Sequence, residues 1–167
     1  LPLLDTPNVS DDEYTPANTT LPGQVLNTEI VELSNSNADL FGAGQAVVNL
    51  STVLDVNSIV LNETSAATAG MSVVNIRNGA TVELQGDFNQ NVNVDFLDAT
   101  ANLDLVLNDY FQNGGALSFA QDFSDVDITS SGEGALNAID AGALGANLVN
   151  LTVTGENDLE FVGGNLI

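Results

Sequence analysis

One stretch, residues 71–109, constrains the fold most, because apolar and polar residues alternate through it almost without a break. Alternation places every second side chain on the same side of an extended backbone, which is the signature of a half-buried β-strand. The pattern predicts four strands, at residues 72–76, 80–84, 91–97 and 102–107. Each is followed by asparagine, aspartate or glycine, residues that tolerate the backbone of tight turns. Strand and turn therefore recur about every ten residues, with almost no helical periodicity.

The remainder of the chain repeats this plan. Further strands are predicted at residues 29–33, 46–50, 58–61, 117–120, 126–129, 136–139, 148–154 and 159–162. Loose repetition of this kind favours an all-β fold of the parallel β-solenoid (β-helix) class, in which each coil buries its apolar side against the next. An antiparallel β-sandwich is the alternative, since its turns are similarly spaced. We favour the solenoid because only Asn78-Gly79 and Asn113-Gly114 supply the dipeptide typical of hairpin turns.

The N-terminal segment differs from the rest, because it contains all four prolines of the chain. Proline cannot donate a hydrogen bond to a strand ladder, so an extended or irregular backbone is expected there. We predict a proline-containing arm or linker over residues 1–26 and a β-solenoid domain over residues 27–167. The arm is expected to lie along the domain or to dock on a neighbouring copy. The chain begins without methionine, and we expect it to be a segment of a longer protein.

Charge limits the possible partners. The chain has 23 acidic residues and one cation, Arg77, which gives a formal net charge of −22. Two unit charges about 10 Å apart repel by roughly 0.4 kcal/mol in water, and salt weakens this repulsion. Summed over many pairs, the repulsion is comparable with the ~5–15 kcal/mol net stability of a domain, so the chain is expected to fold where cations are plentiful. Arg77 is predicted to pair with Glu83 or Asp95, or else to contact another subunit.

Composition also excludes several functions. A chain without a basic patch is a poor ligand for nucleic acid, and no apolar run approaches the ~18 residues of a membrane span. Histidine and cysteine are absent, which removes the usual nucleophilic triads and the imidazole or thiolate metal sites. Carboxylates abound, but no pair stands out as the acid and base of a glycosidase. We therefore predict that the protein is not an enzyme.

Carboxylates and amides at turns are suited to hard cations, because Ca²⁺ takes six to eight oxygen ligands at 2.3–2.6 Å. For any single acidic residue, a position on a solvated surface remains the alternative. Three sets of candidate ligands follow from the spacing: Asp122, Asp125 and Asp127; Glu156, Asn157 and Asp158; and Asp95, Asp98, Asp104 and Asp109. We expect Asp125 and Asp127 to share one strand face. The last set is expected to line one edge if successive coils stack.

Three segments resemble a known family. TEIVEL at residues 28–33 and LVNLTVTGENDLEFVGGNL at residues 148–166 are similar to the strands of bacterial S-layer and RTX-type surface proteins. VELQGDFNQNVNVDFLDATANLDLVLND at residues 82–109 resembles their intervening coils. The resemblance covers about residues 28–167. It implies a Ca²⁺-binding β-solenoid that is secreted and assembles on the cell surface into a lattice or matrix. GENDL at residues 155–159 matches only a fragment of the family's Ca²⁺-binding nonapeptide.

Two functions are therefore expected. The first is a structural cell-surface protein of an S-layer, sheath or extracellular matrix, whose copies self-assemble through divalent-cation bridging. The alternative is an adhesin or carbohydrate-binding module of a biofilm surface protein, with a cell-surface polysaccharide as partner. That alternative requires a row of exposed aromatic rings, for which the candidates are Phe88, Phe96, Tyr110, Phe111, Phe119 and Phe123. Alternation predicts that Phe96 and Phe119 point inward, whereas Tyr110 and Phe111 lie in a turn where they could be exposed.

Overall fold

The computed structural model describes residues 8–9, 19–20, 30–35, 46–53, 56–63, 67, 70–98, 102–134 and 136–164. Within these residues the regular structure is β-strand, apart from the 3-10 helix Ala141–Leu144. The strands are β1 Asn8–Val9, β2 Thr19–Thr20, β3 Ile30–Asn35, β4 Ala46–Asn49, β5 Ser58–Glu63, β6 Met71–Ile76, β7 Thr81–Phe88, β8 Val92–Phe96, β9 Asn102–Gln112, β10 Leu117–Phe119, β11 Asp125–Ser131, β12 Asn137–Asp140, β13 Asn150–Gly155 and β14 Leu159–Val162. The all-β prediction is confirmed.

Every described strand pairing is parallel. A nine-stranded sheet has the order β1-β3-β5-β7-β9-β11-β13, with β12 paired to β9 and β14 paired to β12. A five-stranded sheet has the order β10-β8-β6-β4-β2. From β1 to β10 the chain passes alternately from one sheet to the other, so that each circuit places a new strand beside the last. The protein is therefore a parallel β-solenoid, and the alternative of an antiparallel sandwich is wrong.

The register keeps equivalent residues in columns. Ser58 pairs with Thr81, and Asn102 with Asp125, each pair being 23 residues apart. Inward positions then stack aliphatic on aliphatic, and each fully buried side chain contributes roughly 1.5–3 kcal/mol to folding. One such column, with every member no more than 1% exposed, consists of Ile59, Val82, Leu105 and Ile128.

Two strands are longer than the sequence predicts. The sequence predicts turns after residues 84 and 107, at Gly86 and Asp109, but β7 continues through Gly86 and β9 continues through Asp109. Both residues have positive φ, 90° and 51°, which bends the strand without ending it. In the following coil, β11 pairs with the first part of β9 and β12 with its last part. The solenoid therefore has three walls. The first parts of the long strands lie in the first wall, their last parts lie in the second wall, and the five-stranded sheet forms the third.

The predicted arm is described only in part. Of residues 1–26, the structure describes Asn8–Val9 and Thr19–Thr20. These short strands pair with β3 and β4 and so extend the two sheets by one coil. The rest of the arm, and its predicted boundary with the solenoid, lie outside the described residues.

Candidate functional site

The outward side of β9, β11 and β13 forms a regular polar surface, which we call the acidic face. Leu103 and Val126 point into the core and are each 1% exposed, so the residues on either side of them point to solvent. Neighbouring strands lie about 4.8 Å apart, so residues in register are side by side. The acidic face consists of Asn102, Asp104, Asp125, Asp127, Asn150 and Thr152. Asp125 and Asp127 share this face, as their spacing predicts.

Asp104 and Asp127 are partners in register, and both are exposed. Like charges directly opposite each other on adjacent strands are destabilising. The one cation of the chain does not relieve this repulsion, because Arg77 follows β6 in the other sheet, and its Nε donates to the carbonyl oxygen of Val53 at 3.2 Å. The acidic face is therefore a surface on which like-charged carboxylates are held next to each other.

The carboxylates predicted to pair with Arg77 have other hydrogen-bond partners. The Oε1 atom of Glu83 accepts from the side-chain amides of Gln85, at 2.6 Å, and Asn108, at 2.8 Å. The Oδ1 atom of Asp95 accepts from Nε2 of Gln121 at 2.6 Å. The bonds from Asn108 and Gln121 join consecutive coils, whereas the bond from Gln85 lies within β7.

Asp125 is the carboxylate of the acidic face whose hydrogen bonds are best defined. Its Oδ2 atom accepts from the Ser124 hydroxyl, and its Oδ1 atom accepts from Nδ2 of Asn150 at 2.6 Å. Both bonds favour the charged form. The Ser124 hydroxyl, followed by the Asn150 amide, lowers the pKa of Asp125 below that of an ordinary aspartate. Asp125 therefore keeps its negative charge in more acidic solution than a free aspartate would.

The remaining candidate ligands of the first two sets lie elsewhere. Asp122 is exposed, and its Oδ2 atom accepts from Nδ2 of Asn147 at 2.9 Å. Glu156 and Asp158 are exposed in the turn between β13 and β14. In the same turn, Nδ2 of Asn157 donates to the Ser131 carbonyl at 3.0 Å, which ties the turn to the preceding coil.

The third set does not line one edge, and that prediction is wrong. Asp95 lies in β8 of the five-stranded sheet, and Asp98 follows that strand. Asp104 lies in β9 of the nine-stranded sheet, while Asp109 occupies the bend of β9. The carboxylate of Asp109 accepts from the backbone N–H groups of Glu133, at 3.2 Å, and Gly134. The four residues are close in the sequence, but the strands that carry them, β8 and β9, belong to different sheets.

No three histidine, cysteine, aspartate or glutamate side chains in the described part of the chain are grouped closely enough to hold a metal ion. The acidic face instead offers two adjacent carboxylates, Asp104 and Asp127, beside a third, Asp125. A Ca²⁺ ion takes six to eight oxygens, more than one adjacent pair provides. Further oxygens would have to come from water or from another molecule.

A polar network lies inside the bend between the first and second walls, and sequence analysis missed it. Glu63 is fully buried, and its Oε1 atom accepts from the backbone N–H groups of Asn89 and Gln90, both at 2.9 Å. Asn137 is also fully buried. Its Oδ1 atom accepts from the N–H of Tyr110 at 2.6 Å, and its Nδ2 atom donates to Ser130, Leu107 and Ser131. This network fixes consecutive coils to one another at the bend.

Tyr110 lies beside this network and is fully buried, so the expectation of an exposed ring is wrong. Its ring packs on Phe88 with the centroids 5.0 Å apart, and its hydroxyl donates to Oε1 of Gln112 at 3.3 Å. Burial raises the pKa of Tyr110 far above its ordinary value, and the nearby charges of Glu63 and Asp140 raise it further. The phenol is therefore held neutral in the folded protein.

This raised pKa predicts a loss of stability in alkali. A group whose pKa is higher in the folded state contributes stability that is fully present below its unfolded pKa, about 10 for tyrosine, and lost above it. We expect the free energy of unfolding to fall by about 1.4 kcal/mol per pH unit above pH 10 through Tyr110. Urea titrations between about pH 8 and pH 11 measure this slope. The Tyr110→Phe variant keeps the ring but has no hydroxyl, so its slope must be shallower by that amount; equal slopes would contradict the prediction.

Most of the six candidate aromatic rings are not exposed. Phe96 points inward as predicted, and Phe119 packs partly buried against the core. Phe88 and Phe123 are also buried, and only Phe111, at 44% exposure, is open to solvent among the six. The candidates therefore do not form the exposed row that a carbohydrate-binding module requires.

No protein-family model, curated protein sequence or solved structure matches this chain. Among the described residues, no helix has both the length and the apolar character needed to span a bilayer.

Proposed function

We propose that the chain is a non-enzymatic structural protein of the cell surface, of the S-layer, sheath or extracellular-matrix kind. Its copies associate through divalent cations, Ca²⁺ above all, held between their acidic faces. The observation that supports this function is the register of Asp104 and Asp127, which places two exposed carboxylates side by side on adjacent strands.

Electrostatic repulsion between these two carboxylates favours the binding of a cation between them. Two unit charges about 4 Å apart in water repel by roughly 1 kcal/mol. This local repulsion comes on top of the repulsion among the other charges of a chain whose net charge is −22. A divalent ion between them converts the repulsion into attraction. Asp125, two residues from Asp127 on the same face, adds a third negative charge to the local field.

Coordination chemistry explains why the ion is shared between molecules. One pair of carboxylates offers four oxygens, fewer than Ca²⁺ requires, whereas two pairs from two molecules offer about eight. The solenoid holds each pair at a fixed spacing, because Leu103 and Val126 behind it are fully packed in the core. Each molecule supplies only part of the ligand set, so a shared site of this kind is expected to bind Ca²⁺ weakly, in the 10⁻⁴–10⁻³ M range of extracellular modules. Such affinity suits a protein that is secreted into a medium rich in Ca²⁺.

Sedimentation velocity tests this function. In millimolar Ca²⁺ we expect the protein to sediment as larger species than in EDTA, and EDTA added afterwards is expected to reverse the change. The double variant Asp104→Asn/Asp127→Asn keeps the side-chain shapes but removes the paired charges, so Ca²⁺ should no longer increase its size.

The matched control is Glu133→Gln/Glu160→Gln, which removes the same number of charges from exposed positions outside the acidic face and outside the candidate ligand sets. This control is expected to respond to Ca²⁺ as the wild type does. A wild-type protein whose size is unaffected by Ca²⁺, or a control that loses the response equally, would contradict the proposed function.

A further inference from the structure

The third wall of the solenoid changes its structure after β10. The strands of this wall pair with one another as far as β10, Leu117–Phe119, which is in register with β8. In the next coil the same place is taken by the 3-10 helix Ala141–Leu144, which contacts β10 but does not pair with it. Among the described strands, β10 therefore has no partner on this side, although the structure describes the coil that follows it.

The sequence explains why no strand forms at this place. Five of the six residues at 141–146, AGALGA, are alanine or glycine, which are depleted in strands. Asp140 begins the helix, because its Oδ1 atom accepts from the N–H of Gly142 at 2.8 Å. Leu144 is fully buried and fills the core position of this coil. The segment thus closes the core without extending the sheet.

A groove of about 360 Å³ separates β10 from this segment, a volume within the range of ligand sites, roughly 300–1,000 Å³. One side of the groove is formed by β10. The other side is formed by residues with at most a methyl side chain, namely Gly142, Ala143, Gly145 and Ala146. The groove stays open because these small residues do not reach across to β10.

The β10 side of the groove carries backbone groups without partners. The N–H of Ala120 donates to the C=O of Val94 at 2.9 Å, on the side of β8. Alternate residues of a parallel strand turn their backbone groups to opposite neighbours, so those of Leu117 and Phe119 turn to the groove. Within the described residues these groups make no hydrogen bond. Two N–H and two C=O groups can therefore pair with an added strand.

The groove is also negatively charged. Asp122 and Asp140 line it, and one oxygen of each carboxylate accepts a hydrogen bond. The other two oxygens, Oδ1 of Asp122 and Oδ2 of Asp140, have no hydrogen-bond partner in the described part of the chain. Hydrogen bonds from cationic groups to such oxygens are stronger than those between neutral groups. The groove thus favours an occupant that carries positive charge.

We propose that this groove binds an extended basic peptide segment of another protein, which adds to β10 as a sixth strand of the third wall. Its backbone pairs with Leu117 and Phe119, and its lysine or arginine side chains lie beside Asp122 and Asp140. In strand addition of this kind, backbone hydrogen bonds give affinity and alternate side chains give specificity. The interaction goes beyond the proposed function and does not rest on it, because it uses neither the acidic face nor a divalent cation.

Charge selects a basic partner over a second copy of this chain. A copy has a net charge of −22 and a single cation, Arg77, whose Nε already donates to the carbonyl of Val53. A metal ion is a poorer occupant, since no three acidic side chains are grouped closely enough among the described residues. A sugar is a poorer occupant too, because Phe119, the one aromatic residue of the groove, packs edge-on against Phe123.

Fluorescence anisotropy tests the interaction with a labelled five-residue peptide that alternates valine and lysine, in EDTA and about 0.15 M NaCl. We expect saturable binding of one peptide per chain. The same peptide with an N-methylated backbone keeps every side chain and charge but cannot donate to the carbonyls of Leu117 and Phe119. Its dissociation constant is expected to be about 30-fold higher, because two backbone hydrogen bonds are lost.

Two double variants of equal charge separate the groove from the acidic face. Asp122→Asn/Asp140→Asn removes both carboxylates of the groove while asparagine still caps the helix, and is expected to raise the dissociation constant about tenfold. Asp104→Asn/Asp127→Asn removes the same number of charges from the acidic face, and is expected to change it by less than about twofold, because salt screens distant charges. Ala146→Phe fills the groove at an exposed residue without changing the charge, and is expected to weaken binding as well. Circular dichroism checks that each variant is folded.

Amide hydrogen exchange gives a readout that locates the peptide. We expect the bound peptide to slow the exchange of the N–H groups of Leu117 and Phe119, because they become hydrogen-bonded. Exchange in β11, on the first wall, is expected to stay the same. Slower exchange in β11 with no change in β10 would place the peptide elsewhere and overturn the proposal.

A wild-type protein that does not bind the peptide would also overturn it. So would equal binding of the N-methylated peptide, or an equal loss in the two double variants, since either result means general attraction to an acidic protein. A wild type that dimerises in EDTA, with the dimer abolished by Ala146→Phe, would make a second copy the occupant and would contradict the proposal. A loss of the Ca²⁺ response with peptide binding retained would contradict only the proposed function.

Discussion

Replacing Gly86 by alanine is expected to destabilise the solenoid by about 3 kcal/mol. Gly86 lies at the bend of β7 with φ of 90°, a conformation that costs an L-residue roughly 1–2 kcal/mol. An added Cβ would also overlap the carbonyl oxygen of Glu63 in the preceding coil. That oxygen belongs to the backbone of a paired strand, so the overlap can be relieved only by moving the two coils apart, which adds about 1–3 kcal/mol.

Gly79→Ala is the matched control, because Gly79 has a similar φ, 84°, but an added Cβ there meets nothing within 4 Å. We expect this variant to lose only about 1 kcal/mol. Urea titrations followed by circular dichroism give the free energy of unfolding of both variants. Equal losses would show that conformational strain alone, and not the stacking of coils, requires glycine at Gly86.

Asn137→Ala is the second substitution with a large expected effect, a loss of about 3 kcal/mol. Asn137 is fully buried, and its Oδ1 atom accepts from the N–H of Tyr110 at 2.6 Å. Alanine leaves that buried N–H without its acceptor, at a cost of about 1–3 kcal/mol. It also removes the amide that donates to Ser130 at 2.8 Å and to the Ser131 carbonyl at 2.9 Å, and leaves a small cavity.

Asn147→Ala makes the same chemical change at an exposed residue whose amide donates to Asp122 at 2.9 Å. Its expected cost is under about 1 kcal/mol, because water can replace the lost bond. Differential scanning calorimetry at neutral pH compares the two variants. A difference in transition temperature of less than a few degrees would contradict the role assigned to Asn137.

The strands were predictable from sequence, because the pattern of apolar residues reports directly which side of a strand is buried. Val92, Val94 and Phe96 alternate in the sequence and are buried in β8. The bends were not predictable in the same way. Gly86 and Asp109 follow alternating runs and look like turn residues, but a strand that bends between two walls needs the same positive φ as a turn.

The candidate site was predictable only as a list of acidic residues. Asp125 and Asp127 were placed on one face, because they lie two residues apart on a strand. The adjacency of Asp104 and Asp127 depends on which residues of successive coils are in register. The sequence does not specify this, because residues in register are 23 positions apart from Asn102 to Asp125, 25 from Asp125 to Asn150 and 28 from Ile30 to Ser58. The buried network was not predictable for another reason. Glu63 and Asn137 are residue types that normally face solvent, and the sequence around them does not distinguish them from surface residues.

Because every described strand runs parallel to its neighbours, the coil has a direction, and its first and last turns cannot substitute for each other. The acidic face lies along one flank of this coil, so cation bridges of the proposed kind join copies side by side. Two such copies can point the same way or opposite ways, and because the coil is polar, the two arrangements give layers of different symmetry.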